Sequence, residues 1–223
     1  MNIKLFFEAI FKFLLGVILI GVLIFIPANT INYWNGWLFM GLLFIPMFIA
    51  GIIMMIKSPN LLKSRLDAKE KESEQKTVVK LSGLMFLVGF VLVGLNYRYN
   101  WIQLPNIVVI IASIIFLISY ILYALVLREN AFLSRTIQVQ ENQKVIDTGL
   151  YKIVRHPMYS ATLFLFLSMP LILGSLISFI IFLVYPFIIV KRIKNEEEVL
   201  ERELKGYKEY KDKVKYKMIP FIW

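Results

Sequence analysis

The sequence contains no cysteine and only one histidine, His156, among its 223 residues. Without cysteine there is no disulfide framework, and the chain gives no indication of its redox compartment. Zinc, haem and iron–sulfur centres need several cysteine or histidine ligands, so we expect no metal site built by this protein. Demanding chemistry therefore has to come from an organic cofactor or from the substrate itself.

Charged residues are also scarce. They make up 18% of the chain, whereas 59% is hydrophobic and the mean hydropathy is +0.71. The apolar residues occur in long runs, which indicates an integral membrane protein. The net charge of +10 is typical of basic loops that face anionic lipid. No nucleic-acid-binding module is recognisable, so we expect no nucleic-acid partner.

Four segments are apolar enough, and long enough or nearly so, to cross a bilayer, which takes about 20 residues. They are Phe6–Ile26, Trp37–Ile56, Val78–Leu95 and Leu104–Leu127. If they alternate across the membrane, 24 of the 25 lysine and arginine residues fall on one side. These basic residues lie in 1–12, 57–80, 128–160 and 191–223. The positive-inside rule then predicts that both termini are cytoplasmic.

A further apolar stretch, Met158–Val190, has basic residues on both flanks. As one helix it would be about 50 Å long, well beyond the ~30 Å hydrocarbon layer. Pro170, Gly174 and Ser175 at its middle indicate a turn. We therefore predict a helical hairpin that enters and leaves from the cytoplasmic face. Each arm has about 15 residues, so the hairpin can fall short of the far interface.

The predicted fold is an all-α, polytopic membrane helical bundle. Four spanning helices occupy residues 1–127, and residues 128–223 supply a loop, the hairpin and a cytoplasmic tail helix. Ile193, Leu200, Leu204 and Tyr207 recur at helical spacing in that tail. We expect a single membrane domain over residues 1–223.

The stretch from Gly149 to Tyr159 is the first polar cluster, at the mouth of the hairpin. His156 stands directly before Pro157, which suits the first turn of a helix. The free N–H groups at such a helix start favour a carboxylate ligand. Taken alone, the cluster is equally well explained by side chains that reach toward lipid headgroups.

The second polar cluster, Arg192 to Leu200, lies where the hairpin returns to the same face. Arg192 and Glu196 are four residues apart and hence on one helical face. A solvated helix with ordinary ion pairs is the simpler explanation of this cluster by itself. However, the hairpin topology predicts that the two clusters lie close together, which favours a binding site between them.

Together the two clusters resemble the isoprenylcysteine carboxyl methyltransferase family, in the broad sense that includes phospholipid and small-thiol methyltransferases. The family pattern is Gly-x-Tyr-x-x-x-Arg-His-Pro-x-Tyr, an apolar hairpin, Arg-x-x-x-Glu-Glu-x-x-Leu and a final Tyr-x-x-Tyr. The matching residues are Gly149, Tyr151, Arg155, His156, Pro157, Tyr159, Arg192, Glu196, Glu197, Leu200, Tyr207 and Tyr210. The resemblance covers roughly residues 130–222, and the first 127 residues match only as helices.

The resemblance implies that S-adenosyl-L-methionine binds at the hairpin mouth and that a lipid or small lipophilic acceptor is methylated at the cytoplasmic face. The implied cofactor-binding residues are Gln140, Gln143, Lys144, Val145, Ile146, Tyr151, His156, Pro157, Met158, Tyr159 and Glu196. Gln138 and Gln143 compete with Gln140 for the role of the family's upstream glutamine. Arg192 is the implied substrate-binding residue, and Arg192 and Glu196 are the implied catalytic pair.

The identity of the acceptor stays open between a carboxylate, an amine and a thiol. A carboxylate acceptor is already ionised at neutral pH and needs no general base. Arg192 would orient it by charge-assisted hydrogen bonds, which favours the carboxylate of an isoprenylcysteine-like molecule.

Two alternatives belong to other classes of protein. Sterol or steroid reductases that use NADPH also carry an Arg-His-Pro-x-Tyr stretch, but the Glu196-Glu197 pair favours a methyltransferase. A non-catalytic transporter or scaffold would place polar residues inside several helices, whereas these helices are almost wholly apolar.

Overall fold

The computed structural model describes residues 3–67, 73–134 and 136–223, with only the backbone described at residues 73 and 74. Its α-helices are α1 Ile3–Ala28, α2 Trp34–Lys57, α3 Pro59–Leu66, α4 Ser73–Tyr99, α5 Asn106–Glu129, α6 Pro157–Ile172, α7 Leu176–Phe182, α8 Tyr185–Glu203 and α9 Tyr207–Lys213. A short 3-10 helix, Gly149–Lys152, precedes α6. Lys69, Lys71 and Arg135, which contributed to the predicted orientation, lie outside the described residues.

The four predicted spanning segments are confirmed as helices α1, α2, α4 and α5. Many of the large side chains that point away from the bundle are apolar. Phe11 on α1 and Ile56 on α2, for example, expose 67% and 73% of their surface. A contiguous apolar exterior of this kind is stable in lipid and not in water. The chain is therefore an integral membrane protein.

The predicted hairpin is also present. Its first arm, α6, ends at Ile172, and the turn passes through Gly174, whose φ of 72° favours a residue without a Cβ. The second arm is interrupted at Leu183 and Val184, between α7 and α8. Helix α8 then runs without a break to Glu203. The later part of the second arm and the predicted tail helix therefore form a single helix.

The tip of the hairpin is bonded to the loops at the far end of the bundle. In the loop between α1 and α2, the Tyr33 hydroxyl donates to the carbonyl oxygen of Leu173, and in the first turn of α2, Asn35 Nδ2 donates to the carbonyl oxygen of Ile172 at 2.9 Å. In the loop between α4 and α5, the Leu104 N–H donates to the carbonyl oxygen of Gly174 at 3.0 Å. The short arms therefore extend as far as these loops.

Two short helices, α3 and α9, were not predicted. Leu61 and Leu62 are buried on α3, and Tyr207 and Tyr210 are buried on α9. Helices of seven or eight residues are too short for an apolar period to be recognised in a sequence. They are also too short to be stable without tertiary contacts, so the bundle itself has to stabilise them.

Four phenylalanine side chains lie in the interior of the bundle among aliphatic ones. Phe39, Phe90, Phe116 and Phe182 are all less than 3% exposed. The rings of Phe90 and Phe182 meet at 6.0 Å with an angle of 68° between their planes, a favourable edge-to-face arrangement. Helix α6 packs along α5 and also contacts α4 and α8. The start of α6 is therefore fixed beside the ends of three other helices.

Helices α1 and α4 approach each other closely at Gly94. A Cβ added there would lie 2.5 Å from the carbonyl oxygen of Ile24 and 2.8 Å from the backbone nitrogen of Ala28. Because both contacts are with backbone, no side-chain rotation can relieve them. We expect Gly94→Ala to push the helices apart and to destabilise the protein by about 1–3 kcal/mol, measured as a lower melting temperature in detergent.

The matched control is Gly51→Ala on α2, where an added Cβ would have nothing within 4 Å. Alanine forms helices better than glycine, so this variant should melt at the same temperature or slightly higher. If both variants melted at the same temperature as the wild type, the close approach at Gly94 would not limit stability.

Candidate active site

A cavity of about 460 Å³ lies at the mouth of the hairpin. Its volume is within the range of about 300–1,000 Å³ that is usual for small-molecule sites. The wall formed by the loop after α5 carries polar side chains, among them Asn130, Gln138 and Gln143, together with apolar ones. The wall between α4, α6 and α8 is largely apolar and includes Phe86 and Phe166. The cavity therefore suits two ligands, one polar and one apolar.

The structure brings most of the candidate cofactor residues to this cavity. Those in its wall are Gln143, Lys144, Val145, Ile146, Tyr151, His156, Met158, Tyr159 and Glu196. Arg192, the candidate substrate-binding residue, also lines it. These residues come from the loop, the 3-10 helix, α6 and α8, so they share one cavity only in the folded chain.

Two candidate residues do not line the cavity. Gln140 Nε2 donates to the carbonyl oxygen of Phe132 at 2.5 Å, and the Gln140 N–H donates to Gln143 Oε1 at 2.8 Å. Gln140 therefore stabilises the loop, while Gln138 and Gln143, which compete for the same role, face the cavity. Pro157 is buried in the first turn of α6.

The loop has no regular secondary structure and is held at its ends by polar contacts. Asn130 Nδ2 donates to the Tyr151 hydroxyl at 3.0 Å, and Thr148 Oγ1 donates to Glu129 Oε1. Gly149 has a φ of 51°, and a Cβ there would lie 2.8 Å from Glu129 Oε2. The backbone conformation therefore favours glycine at this position of the family pattern, whereas the flexible Glu129 side chain can move to make room for a Cβ.

Tyr159 joins the two polar clusters predicted from the sequence. Its hydroxyl donates to Glu196 Oε2 and accepts a hydrogen bond of 2.9 Å from Arg192 Nε. Arg192 Nη1 also donates to Gln75 Oε1 on α4 at 3.1 Å. The arginine and the glutamate, one helical turn apart on α8, are therefore oriented by a tyrosine from α6.

A second contact between the clusters is a buried ion pair. Arg155 Nε donates to Glu197 Oε1 at 2.7 Å, and both side chains are about 95% buried. His156 Nε2 lies 3.2 Å from the same oxygen, and Lys217 Nζ lies 3.2 Å from Glu197 Oε2. Most of the polar capacity of His156 is therefore directed at Glu197, although its ring also lines the cavity.

Arg155 also binds the segment Val214–Met218, here termed the tail strap. Its Nη1 donates to the carbonyl oxygens of Val214 and Lys215 at 2.7 and 2.9 Å. The backbone N–H groups of Arg155 and His156 donate to the strap at Tyr216 and Lys217. The Arg-His-Pro stretch thus anchors the end of the chain next to the cavity.

The Tyr207 side chain faces the cavity with an unused hydrogen-bonding group. Its hydroxyl is buried and has no hydrogen-bond partner among the described residues. Burial, followed by the charges of Glu197 and Glu196, raises the pKa of Tyr207, so the hydroxyl stays protonated at neutral pH. Burial likewise raises the pKa of Tyr151 and of Tyr210. Tyr207 therefore offers a neutral donor to a ligand.

Several residues of the cavity wall were missed because they lie in the first half of the chain, which carries no motif. Arg65 on α3 and Val78, Val79 and Phe86 on α4 all line the cavity. In the sequence they are indistinguishable from interfacial and lipid-facing residues. Only the packing of α3 and α4 against the hairpin mouth brings them into the site.

The family model described as isoprenylcysteine carboxyl methyltransferase matches residues 108–202. The matched residues are fewer than half of the chain, and over them the chain is similar to that family. Among curated proteins, none shows a significant match to the chain. The matched region contains Tyr159, Arg192 and Glu196, and it ends before Tyr207 and the tail strap.

The matched family is one of methyltransferases, so the match supports a methyltransferase activity for this membrane protein. The match gives no support to the reductase alternative. Both polar clusters and the whole hairpin fall inside the matched residues. The methyltransferase region therefore coincides with the part of the chain that builds most of the cavity.

The buried ion pair predicts a large effect on stability when one partner is removed. Arg155→Met keeps much of the side-chain volume but leaves the Glu197 carboxylate buried without its closest cation. We expect a loss of about 3–5 kcal/mol, seen as a lower melting temperature in detergent. Limited proteolysis should also cleave the tail strap sooner, because its carbonyl oxygens lose their donor.

The control for this experiment is Arg202→Met, which removes the exposed pair with Glu203. Exposed pairs contribute at most about 1 kcal/mol, so little change is expected. Equal shifts in the two variants would mean that the buried pair is not what holds the hairpin mouth together.

Proposed function

We propose that this protein transfers a methyl group from S-adenosyl-L-methionine to the carboxylate of a lipophilic acceptor at the cytoplasmic membrane face. The observation that carries the proposal is the arrangement of Arg192, Tyr159 and Glu196. These three side chains are hydrogen-bonded to one another in the wall of a cavity that is polar on one side and apolar on the other. The polar side suits a cofactor, and the apolar side suits a lipophilic acceptor.

The residues of the polar side fit S-adenosyl-L-methionine. The Tyr207 hydroxyl is an unsatisfied buried donor, and a buried polar group of this kind is stabilised when a ligand supplies its partner. Glu196 supplies a carboxylate to the same cavity from α8, suited to ammonium or hydroxyl groups. The buried rings of Tyr151 and Tyr207 add apolar surface. We propose that the cofactor occupies this side.

The chemistry needs few groups from the protein. S-adenosyl-L-methionine supplies an activated methyl group, which an acceptor displaces in line. Arg192 would hold an anionic acceptor by charge-assisted hydrogen bonds, and Tyr159 would fix the direction of the guanidinium. A carboxylate is already ionised, so no side chain has to remove a proton. The cavity walls then have to align the two ligands and exclude water.

The apolar side gives the acceptor a route from the bilayer. Val79 lines the cavity from α4 and is 48% exposed. Neighbouring Gly83 also lines the cavity and has no side chain to close the gap. We propose that a lipophilic acceptor enters beside α4 while the cofactor enters from the cytoplasm. A purely water-soluble molecule as the best acceptor would contradict this route.

The cofactor assignment is tested by calorimetry of the detergent-solubilised protein with S-adenosylhomocysteine and, separately, with NADPH. We expect binding of the first ligand only. Glu196→Gln should weaken that binding about tenfold or more, because a hydrogen bond to a charged group contributes about 1.5–3 kcal/mol. The matched control, Glu198→Gln, changes an exposed neighbour outside the cavity and should leave the affinity unchanged.

Binding of NADPH in place of S-adenosylhomocysteine would refute the proposal and point to a reductase. Binding of neither ligand would favour the non-catalytic alternative.

A variant of Arg192 distinguishes between carboxylate, thiol and amine acceptors. With labelled cofactor, Arg192→Gln should raise the KM for a prenylcysteine carboxylate about tenfold or more, since the charge-assisted bond is lost. A neutral thiol or an amine acceptor should be affected much less or not at all. A wild-type enzyme that methylates only amines or thiols would contradict the carboxylate assignment and leave the methyltransferase assignment intact.

A further inference from the structure

Helix α3 brings an arginine into the cavity from the first half of the chain. The helix is fixed on one side because Lys12 Nζ donates to the carbonyl oxygen of Leu66 at 2.8 Å. On the other side, Ser64 Oγ donates to the carbonyl oxygen of Leu133 in the loop at 3.3 Å. Arg65 lies between these two attachments and lines the cavity.

Among the described residues, the guanidinium of Arg65 is positioned by neutral groups. Its Nη1 donates to the carbonyl oxygen of Ser134 at 3.2 Å, and its Nη2 donates to the Tyr123 hydroxyl. The guanidinium carbon also lies 5.6 Å from the centre of the Tyr123 ring. Arginine has five N–H donors, so these contacts leave most of its hydrogen-bonding capacity free for a ligand.

The charge of Arg65 has no carboxylate partner in the described parts of the chain. Arg155, by contrast, is neutralised by the buried Glu197. A half-buried cation without a counter-ion is unfavourable unless a bound anion supplies one. Apart from Arg155, the described wall of the cavity has three basic side chains, Arg65, Lys144 and Arg192, and a single acidic one, Glu196. The unbalanced charge therefore favours an anionic group on the ligand.

We propose that Arg65 is a carboxylate-binding residue of this active site, acting from α3 in addition to Arg192 on α8. A guanidinium is planar and can bind both oxygens of a carboxylate at once. The inference rests on the proposed function, which supplies two carboxylates. One belongs to the methionine part of the cofactor and the other to the acceptor.

Whether Arg65 binds the cofactor carboxylate is tested by calorimetry of the Arg65→Gln variant with two ligands. S-adenosylhomocysteine carries the amino-acid carboxylate, and 5′-methylthioadenosine lacks it. If Arg65 binds this group, the variant should bind S-adenosylhomocysteine about 10- to 100-fold more weakly and 5′-methylthioadenosine as the wild type does. Arg65→Lys, which keeps the charge but not the planar fork, should show a smaller loss.

The acceptor carboxylate is tested by kinetics at saturating cofactor. If Arg65 binds the acceptor, Arg65→Gln should raise the KM for a carboxylate acceptor about 10- to 100-fold. The affinity for S-adenosylhomocysteine should then be unchanged. Tyr123→Phe is the matched control, because it removes a hydrogen bond to the guanidinium but leaves the cation in place. It should change both quantities much less than Arg65→Gln does.

Three outcomes would overturn the inference. Equal weakening of both nucleoside ligands would mean that Arg65 only supports the loop through Ser134. Unchanged affinities together with an unchanged KM would mean that Arg65 binds no ligand. If the wild type bound no S-adenosylhomocysteine at all, the proposed function would fail first, and the role of Arg65 with it. Should Arg65→Gln fail to fold, the same two comparisons on Arg65→Lys decide the question.

Discussion

The buried ion pair between Arg155 and Glu197 joins the entrance of the hairpin to its exit. Because both charges are removed from water, each requires the other together with the backbone carbonyl groups of the tail strap. This requirement fixes the start of α6 against α8. Tyr159, which is four residues after Arg155, is thereby brought to Arg192 and Glu196 on α8. The geometry of the site thus depends on a contact that does not itself belong to the proposed chemistry.

The cavity also unites the two halves of the chain. The loop, the hairpin and the tail supply polar groups, and the family match covers part of this region. Helix α3 supplies Arg65, and α4 supplies apolar residues of the wall. The first half is therefore more than a membrane anchor, since Gln75 on α4 also orients Arg192. A cavity lined by polar, apolar and cationic side chains is consistent with the proposed methylation of a lipophilic anion.

Much of the fold could be predicted because a bilayer leaves few choices. Backbone N–H and C=O groups in hydrocarbon must be hydrogen-bonded within the chain, so each long apolar run was expected to form a helix. The length of the hairpin and its central Gly174 required the chain to turn back. Helices α3 and α9 could not be predicted in this way, because they are short and are stabilised by contacts with distant residues such as Lys12 and Tyr151.

The sequence by itself determined the membrane class, the hairpin and the residue types of the two polar clusters, since these follow from composition, run length and local spacing. The tertiary structure decided which of those residues meet. It directed Gln140 into the loop and not to the cavity, and it paired the Arg-His-Pro stretch with Glu197. It also brought Arg65 into the site from more than sixty residues before the loop. Such contacts depend on packing between helices distant in sequence, which local patterns do not encode.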